Sequence, residues 1–479
     1  MDIGPVRRQS LIVFGSSIGV TVIGFFATIY IAHVAGAAAL GGLFLLLAYI
    51  GIIGLFTDAG ISGAAIQRIS EGTEQDEYFS AHAAIRMVLL AVTITVLFAI
   101  QPVFVDLNQA GLFYWLILAL IISVVAGIIS TGVYGSGKVG ILQIADFLNN
   151  VVRILVQVLA VFMGYSVAGL AGGVVAGITA GLLVNLKFLK LHNTRFGWNH
   201  VRSLLAFSGW SFVAGLTATL MGYADTLLIG YFLTNTDVGL YRTAFQLTSL
   251  ALFSMIALRT SLYPKIVSWW KRGDVLSVEM SLSKSFSFSL ALAVPAAAGA
   301  WVLGGPLLYY LYGSPFAAAG TAMAILFAVQ IIMVFLTLET MCLSALNKPG
   351  AVFWGTAIGA ITTIVLDVLL IPLYGINGAA FSLFIGTLFY AIAAHRSLSG
   401  MIRVATERRT IFSIISASVI MATAVAVYCF FVPLTSVVLT AGAVGMGMVI
   451  YAVLLLGFDK NIRDEVRDLV RRIGLPGTG

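Results

Sequence analysis

Residues 111–133 read GLFYWLILALIISVVAGIISTGV, a run without a single charged side chain. At 1.5 Å of rise per residue, an α-helix of this length crosses the roughly 30 Å hydrocarbon core of a bilayer. The run shows none of the two-residue alternation of a membrane β-barrel strand, so it reads as a transmembrane helix. Similar runs flank it near 9–35, 39–57, 79–101, 141–163, 167–189 and 207–231. Seven more follow near 238–263, 285–303, 318–344, 351–372, 378–398, 410–431 and 437–458. The chain therefore reads as an all-α integral membrane protein with about 14 transmembrane helices. Of its 479 residues 60% are apolar and 9% charged, with a mean hydropathy of +1.05. Soluble domains carry about 25% charged residues, so a soluble enzyme, a coiled coil and a disordered chain are excluded. The first run is too long for a signal-peptide core and is expected to remain in the mature protein.

Lys and Arg number 26 against 19 Asp and Glu, a net charge of +7. In a soluble protein that excess would suggest nucleic acid; here its placement points to loops, and no nucleic-acid partner is expected. Segments 36–38, 102–110, 164–166, 232–237, 304–317, 373–377 and 432–436 contain neither Lys nor Arg. The alternate loops carry Arg68, Lys138, Lys187, Lys265, Lys348 and Arg396 among others. The positive-inside rule then places both termini in the cytoplasm, in a multi-pass protein of the cytoplasmic membrane. The tail 459–472 puts Ile462, Val466, Leu469 and Val470 on one face, a surface helix for headgroups or a regulatory partner. Cys342 and Cys429 make no disulfide framework, and five scattered histidines make no metal site. Gly132 to Lys138 has phosphate-loop spacing, but Val139 replaces the magnesium-binding hydroxyl and no soluble strand precedes it. With no catalytic elbow or zincin motif either, the chain is not read as an enzyme.

A repeat runs through the sequence. Ala27, Gly42, Leu43 and Phe44 match Ala224, Gly239, Leu240 and Tyr241, 197 residues on. Lys138 and Gly140 match Lys348 and Gly350, and Tyr165 and Gly169 match Tyr374 and Gly378. A six-span repeat makes two parallel six-helix lobes, 1–200 and 201–404, with two extra helices and the tail in 405–479. Transporters with parallel repeats place their site between the halves.

Polar groups inside spans mark function or polar packing, because lipid cannot satisfy them. Gln143, Asp146, Asn150, Arg153 and Gln157 are spaced by three and four residues and share one helix face, with Asn149 beside it. A mid-span arginine costs roughly 2.5–3.5 kcal/mol. Arg153 must therefore face a hydrated cavity, or sit in a polar seam with Asp146 or another carboxylate in compensation. Asp225 and Arg242 stand at similar depth on consecutive spans, as a structural ion pair or as transport residues, with Gln246 one turn beyond. Asp367 is either solvated near the interface or an ion or proton site. Arg86 either snorkels to headgroups or lines the cavity. Gln330 bonds a neighbouring helix or lines the cavity, and Pro295 kinks its span or acts as a hinge.

Asp225-Thr-Leu-Leu-Ile-Gly230, Thr236-Asp-Val-Gly-Leu-Tyr-Arg242, Tyr263-Pro264, Gly350 and Tyr374-Gly-Ile-Asn-Gly378, with the repeat, carry a resemblance. The chain resembles the polysaccharide and oligosaccharide flippases (Wzx-like) of the wider MATE-type exporter superfamily. The resemblance implies transport of a lipid-linked oligosaccharide across the cytoplasmic membrane by alternating access. Arg153, with Arg86 and Arg242 behind it, would then answer the lipid phosphate. Gln143, Asn149, Asn150, Gln157, Gln246 and Gln330 would bond sugar hydroxyls. No cofactor is implied beyond a coupling proton or sodium ion, for which Asp225 and Asp367 are candidates. A monomer is expected, in contact with membrane lipids and glycan-assembly proteins. Two alternatives stay open: an ion-coupled drug or metabolite exporter of the same fold, and a non-transporting scaffold of a glycan-assembly complex.

Overall fold

The computed structural model describes residues 5–249, 253–404, 406–459 and 462–463. Among them the chain is helical and contains no strand. Long apolar runs require this, because in hydrocarbon each backbone polar group must be bonded within its own segment. Eleven described helices are long and apolar enough to cross a bilayer. Apart from Asp459, Ile462 and Arg463, the amphipathic tail expected over 459–472 lies outside the described residues.

The chain divides into two compact units, Met1–Gly239 and Leu240–Gly479. Unit 1 holds α1 (Pro5–Asp58), α2 (Ile61–Ser70), α3 (Gln75–Ala99), α4 (Val105–Gln109), α5 (Phe113–Gly135), α6 (Val139–Phe162), α7 (Val167–Phe188) and α8 (Trp198–Phe232). Helix α9 (Asn235–Ser249) crosses into unit 2, which continues with α10 (Phe253–Lys271), α11 (Val275–Tyr312), α12 (Gly320–Ala345), α13 (Pro349–Ser399), α14 (Arg408–Phe431) and α15 (Val437–Phe458). Two of the expected loops are each reduced to a kink at one non-helical residue that joins two helices. These are Gly36 in α1 (φ 82°, ψ 174°) and Gly375 in α13 (φ 59°, ψ −140°), backbone shapes that a Cβ would oppose. Of the run expected over 238–263, α9 and α10 are described on either side of residues 250–252, which lie outside the described residues. Arg242, Gln246 and Arg259 dilute the run's apolarity. Helix α11 passes through Pro295 and Pro306 as one element of 38 residues. Asp274 caps its start, and hydrogen bonds from the Ser277 hydroxyl and N–H hold that carboxyl below its ordinary range.

The repeat seen in the sequence recurs in the backbone. Helix α5 ends at Gly135 and α12 at Ala345, while α6 begins at Val139 and α13 at Pro349. One turn closes both corners. Lys138 N donates to Val133 O (3.2 Å) and Gly137 N to Tyr134 O (2.8 Å). Lys348 N donates to Leu343 O (2.8 Å) and Asn347 N to Ser344 O (3.2 Å). This pairing ends a helix through a left-handed residue, here Gly137 (φ 77°) and Asn347 (φ 60°). Gly and Asn are residues that visit that region most readily. The Lys138 ammonium of the rejected phosphate-loop motif donates to Phe188 O at the end of α7 (2.7 Å), an ordinary helix-terminus contact.

Packing within each unit repeats as well. Gly169, Gly173, Gly177 and Gly181 recur every four residues and line one side of α7. A Cβ on Gly169 would lie 2.6 Å from Ala160 Cβ, and one on Gly177 2.6 Å from Asn149 O. Helix α6 thus rests on nearly bare backbone, the close approach that membrane bundles use where lipid supplies no hydrophobic drive. In α13, Gly378, Ser382 and Gly386 hold the matching places, with Gly378 against Leu370 and Gly386 against Thr363 and Gly359. The connection 189–197 between α7 and α8 is laid along α3. His192 N donates to Asp76 Oδ1 (2.9 Å) and Thr194 N to Ser80 Oγ (2.8 Å), while His200 Nε2 lies 3.2 Å from Glu74 Oε2.

Candidate functional site

The glycine line on α7 fixes the rotation of α6, and with it the destination of each polar side chain. Gln157 is buried against Gly173, and its Nε2 donates to Leu170 O (3.0 Å). Asn149 packs on Gly177. These two serve the helix contact. On the same side of α6, Gln143 and Asp146 are exposed, and Asn150 and Arg153 half-buried. Asn150 Nδ2 donates to Asp146 O (2.8 Å), and Arg153 Nη2 donates to Asn150 Oδ1 (2.9 Å). Among the described residues no carboxylate lies within 4.0 Å of the Arg153 guanidinium, so Asp146 does not compensate it. Ile144, Leu155, Leu159 and Phe162 are exposed on the other side of the helix. One polar face read from spacing is thus divided into a packed pair and an accessible row ending in a cation.

Arg86 does not snorkel. It is 6% exposed and pairs with Asp58 (3.2 Å). Its Nε donates to Thr57 O and its Nη1 to Ser62 Oγ, both at 3.3 Å. Ser62 Oγ donates to Asp58 Oδ1, and buried His82 places Nε2 3.2 Å from the same hydroxyl. Gly127 on α5 makes room: a Cβ there would lie 2.5 Å from Arg86 Nη1. A carboxylate at the end of α1, 28 residues before Arg86, therefore holds it inside unit 1, a partnership that local spacing does not reveal.

Asp225, in unit 1, is 4% exposed, and its Oδ1 accepts from Thr226 N (2.6 Å) and Thr226 Oγ1 (3.1 Å). Arg242 belongs to unit 2, where its guanidinium stands 5.1 Å from the Phe245 ring centroid, a cation–π distance. Gln246 is half-buried one turn on. Gln330 on α12 is buried, and its Nε2 donates to Thr248 Oγ1 on α9 (3.2 Å), the neighbouring-helix bond. Asp367 is fully buried, so the solvated-interface reading falls. The 210-residue offset makes Asp367 the counterpart of Gln157, the buried residue facing the second helix of the pair. Sequence reasoning missed one further acid. Glu339 on α12 is 1% exposed and lies 2.8 Å from His395 Nδ1 on α13. Its place inside a long apolar helix was the available signal.

These features define a multi-helix fold of the membrane-spanning kind, with polar and charged groups held inside helical bundles. A solved structure of similar form is the lipid II flippase MurJ in an inward closed conformation. It matches at a TM-score of 0.77 and 15% identity over 94% of this chain and 99% of its own. An inward-facing multidrug resistance MATE family transporter matches at 0.61 and 14% identity over 80% and 95%. These likenesses show the fold. A profile described as "Polysaccharide biosynthesis protein" matches residues 15–320, more than half of the chain, and the chain belongs to that family. Two relatives from Haloferax volcanii align along nearly their full lengths. The probable low-salt glycan biosynthesis flippase Agl15 is 24% identical over 98% of this chain and 99% of its own. The probable flippase AglR is 26% identical over 97% and 98%. The resemblance read from Asp225–Gly230 and its companion motifs is borne out.

Proposed function

We propose that the protein is a flippase carrying a polyprenyl-phosphate- or pyrophosphate-linked oligosaccharide from the cytoplasmic to the outer leaflet by alternating access. Arg153 carries the reading. It is a mid-helix guanidinium answered by one neutral amide, in a chain whose full-length relatives are named probable flippases. A guanidinium so placed has donors left for an anion, and its fork matches phosphate oxygens. Asn150, Gln143 and Asp146 extend the accessible row and offer hydrogen bonds to sugar hydroxyls. Asn149 and Gln157, spent on α7, contribute by holding α6. Arg86 acts through the rigid base it makes with Asp58, while Arg242, Gln246 and Gln330 serve unit 2. Asp225 and Asp367 are proposed seats of a coupling proton or sodium ion, with no other cofactor. On this reading the eleven long helices, divided at Gly36 and Gly375 and completed by α9 with α10, give 14 spans. Both termini are cytoplasmic, in the cell membrane, and the protein works as a monomer beside glycan-assembly proteins.

The test is purified protein in proteoliposomes carrying a fluorescent polyprenyl-diphosphate oligosaccharide, with a membrane-impermeant glycosidase scoring the sugar's side. Wild type should render the inner pool accessible, and Arg153→Ala should fold, insert and lose most of that activity. Wild-type protein that moves no glycolipid, or full activity in Arg153→Ala, would overturn the proposal.

A further inference from the structure

Glu339 is buried among Leu338, Met341, Cys342, Leu343, Ala394 and Leu398 in the apolar core of unit 2. His395 Nδ1 lies 2.8 Å from its Oε1. Among the described residues its Oε2 is buried and has no hydrogen-bond partner. The His395 side chain, by contrast, is 52% exposed. Among the described residues no other cation reaches ion-pair distance of Glu339. Arg259 and Lys265 on α10, Lys284 on α11, Arg396 on α13 and Arg408 and Arg409 on α14 are all exposed. Glu279 on α11 accepts from Arg403 N, and Cys342 on α12, Tyr390 on α13 and Tyr451 on α15 are further titratable side chains of the same core.

A carboxylate oxygen without a donor in an apolar core is among the costliest arrangements a protein holds. One added proton removes the cost. We propose that Glu339 and His395 form a proton-binding site, in which the exposed imidazole exchanges protons with water and the buried carboxyl stores one. The step balances as a relay through the ring. A hydronium O–H bond breaks, leaving water, as its proton bonds to His395 Nε2; the Nδ1–H bond breaks, and the proton leaving Nδ1 bonds to Glu339 Oε1. The ring remains neutral in its other tautomer, and the carboxylate becomes a neutral acid. The charge inside the α12–α13 contact disappears, which changes the relative stability of its packings. The site is separate from Asp225 and Asp367. It deepens the flippase reading by naming a coupling proton, and rests on that reading only for its effect on transport.

Infrared difference spectra of purified full-length protein between about pH 9 and about pH 5, a span bracketing the ordinary histidine range, should show a carboxylic-acid carbonyl band. Glu339→Gln should delete it, and His395→Gln should move its midpoint by about one pH unit or more. In proteoliposomes an imposed pH gradient should change wild-type glycolipid transport by at least about fivefold, and Glu339→Gln should lose that response. If Glu339→Gln does not fold, His395→Gln, altering an exposed ring, decides the matter through the midpoint. A pH difference spectrum without a Glu339-dependent band, an unmoved midpoint in His395→Gln, or an unchanged gradient response in folded Glu339→Gln would overturn the site. Wild-type protein that shows the band but moves no glycolipid would sink the flippase reading and leave the site standing.

Discussion

Arg86 and Arg153 bring the same guanidinium into unit 1, and their surroundings treat it differently. Arg86 has a carboxylate, a carbonyl and a hydroxyl around it; Arg153 has one amide oxygen. Breaking a buried ion pair by removing one partner costs about 3–5 kcal/mol, because the other charge stays behind. Asp58 is a quarter exposed, so solvent screens part of that. Asp58→Asn should therefore lower stability in detergent by about 3 kcal/mol or somewhat less, read as an earlier thermal transition. Arg153→Ala should leave that transition in place, since it removes a cost and one hydrogen bond. On the proposed flippase reading, its effect belongs to transport. A hydrogen bond to a charged group is worth about 1.5–3 kcal/mol, so flipping should fall about 10- to 100-fold. Arg153→Lys should fall between, keeping the charge without the planar fork. Glycolipid flipping by the two variants, normalised to folded protein, checks the order.

At the scale of elements, the α6–α7 contact is made by what α7 lacks. Gly177→Val would drive side-chain atoms into Asn149 O and Arg153 Cβ, and overpacking of this kind costs about 1–3 kcal/mol. Gly386→Val should do the same in α13, against Thr363 and Gly359. Gly140, near the start of α6, has nothing within 4 Å of its Cβ position. Gly140→Ala should accordingly be neutral or gain up to about 1 kcal/mol of helix propensity. Thermal unfolding of the three variants separates close packing from a general intolerance of change. The helices themselves were legible in the sequence, because apolar runs and a three-and-four spacing are local signals. So was the equivalence of the corners at Lys138 and Lys348, through the repeat of Lys138 and Gly140 in Lys348 and Gly350, but not the left-handed turn at Gly137 and Asn347. The partners were not. Asp58 lies 28 positions from Arg86 and Glu339 lies 56 from His395, and no period links such pairs. The sharing of the α6 face between α7 and open space was equally hidden, since spacing gives a face but not its neighbour.

For the whole molecule, the proposed orientation rests on which short loops hold Lys and Arg, because short translocated loops are poor in them. Single cysteines at Asn108, Asn235 and Gly313, in a background without Cys342 and Cys429, should react with an impermeant thiol reagent on sealed cells. Cysteines at Gly72 and Gly273 should react only after lysis. These two glycines follow α2 and α10 in left-handed turns (φ 84° and 75°), so their substitution tests topology at some cost in yield. Labelling of the second pair in intact cells would reverse the orientation.

The strap over 189–197 gives an otherwise structureless segment the behaviour of an ordered one. Coil amides ordinarily trade hydrogen for deuterium within moments, yet those of His192 and Thr194 are engaged by Asp76 and Ser80 on α3. They exchange only when that grip opens, so a deuterated peptide from this connection is a clock for α3. Ser80→Ala should speed the Thr194 amide while the α5 amides keep their wild-type rates. A slow Thr194 amide in that variant would mean that something other than Ser80 guards it. Followed with and without glycolipid, the same two amides would report whether the proposed transport loosens α3, without a label anywhere in the bilayer.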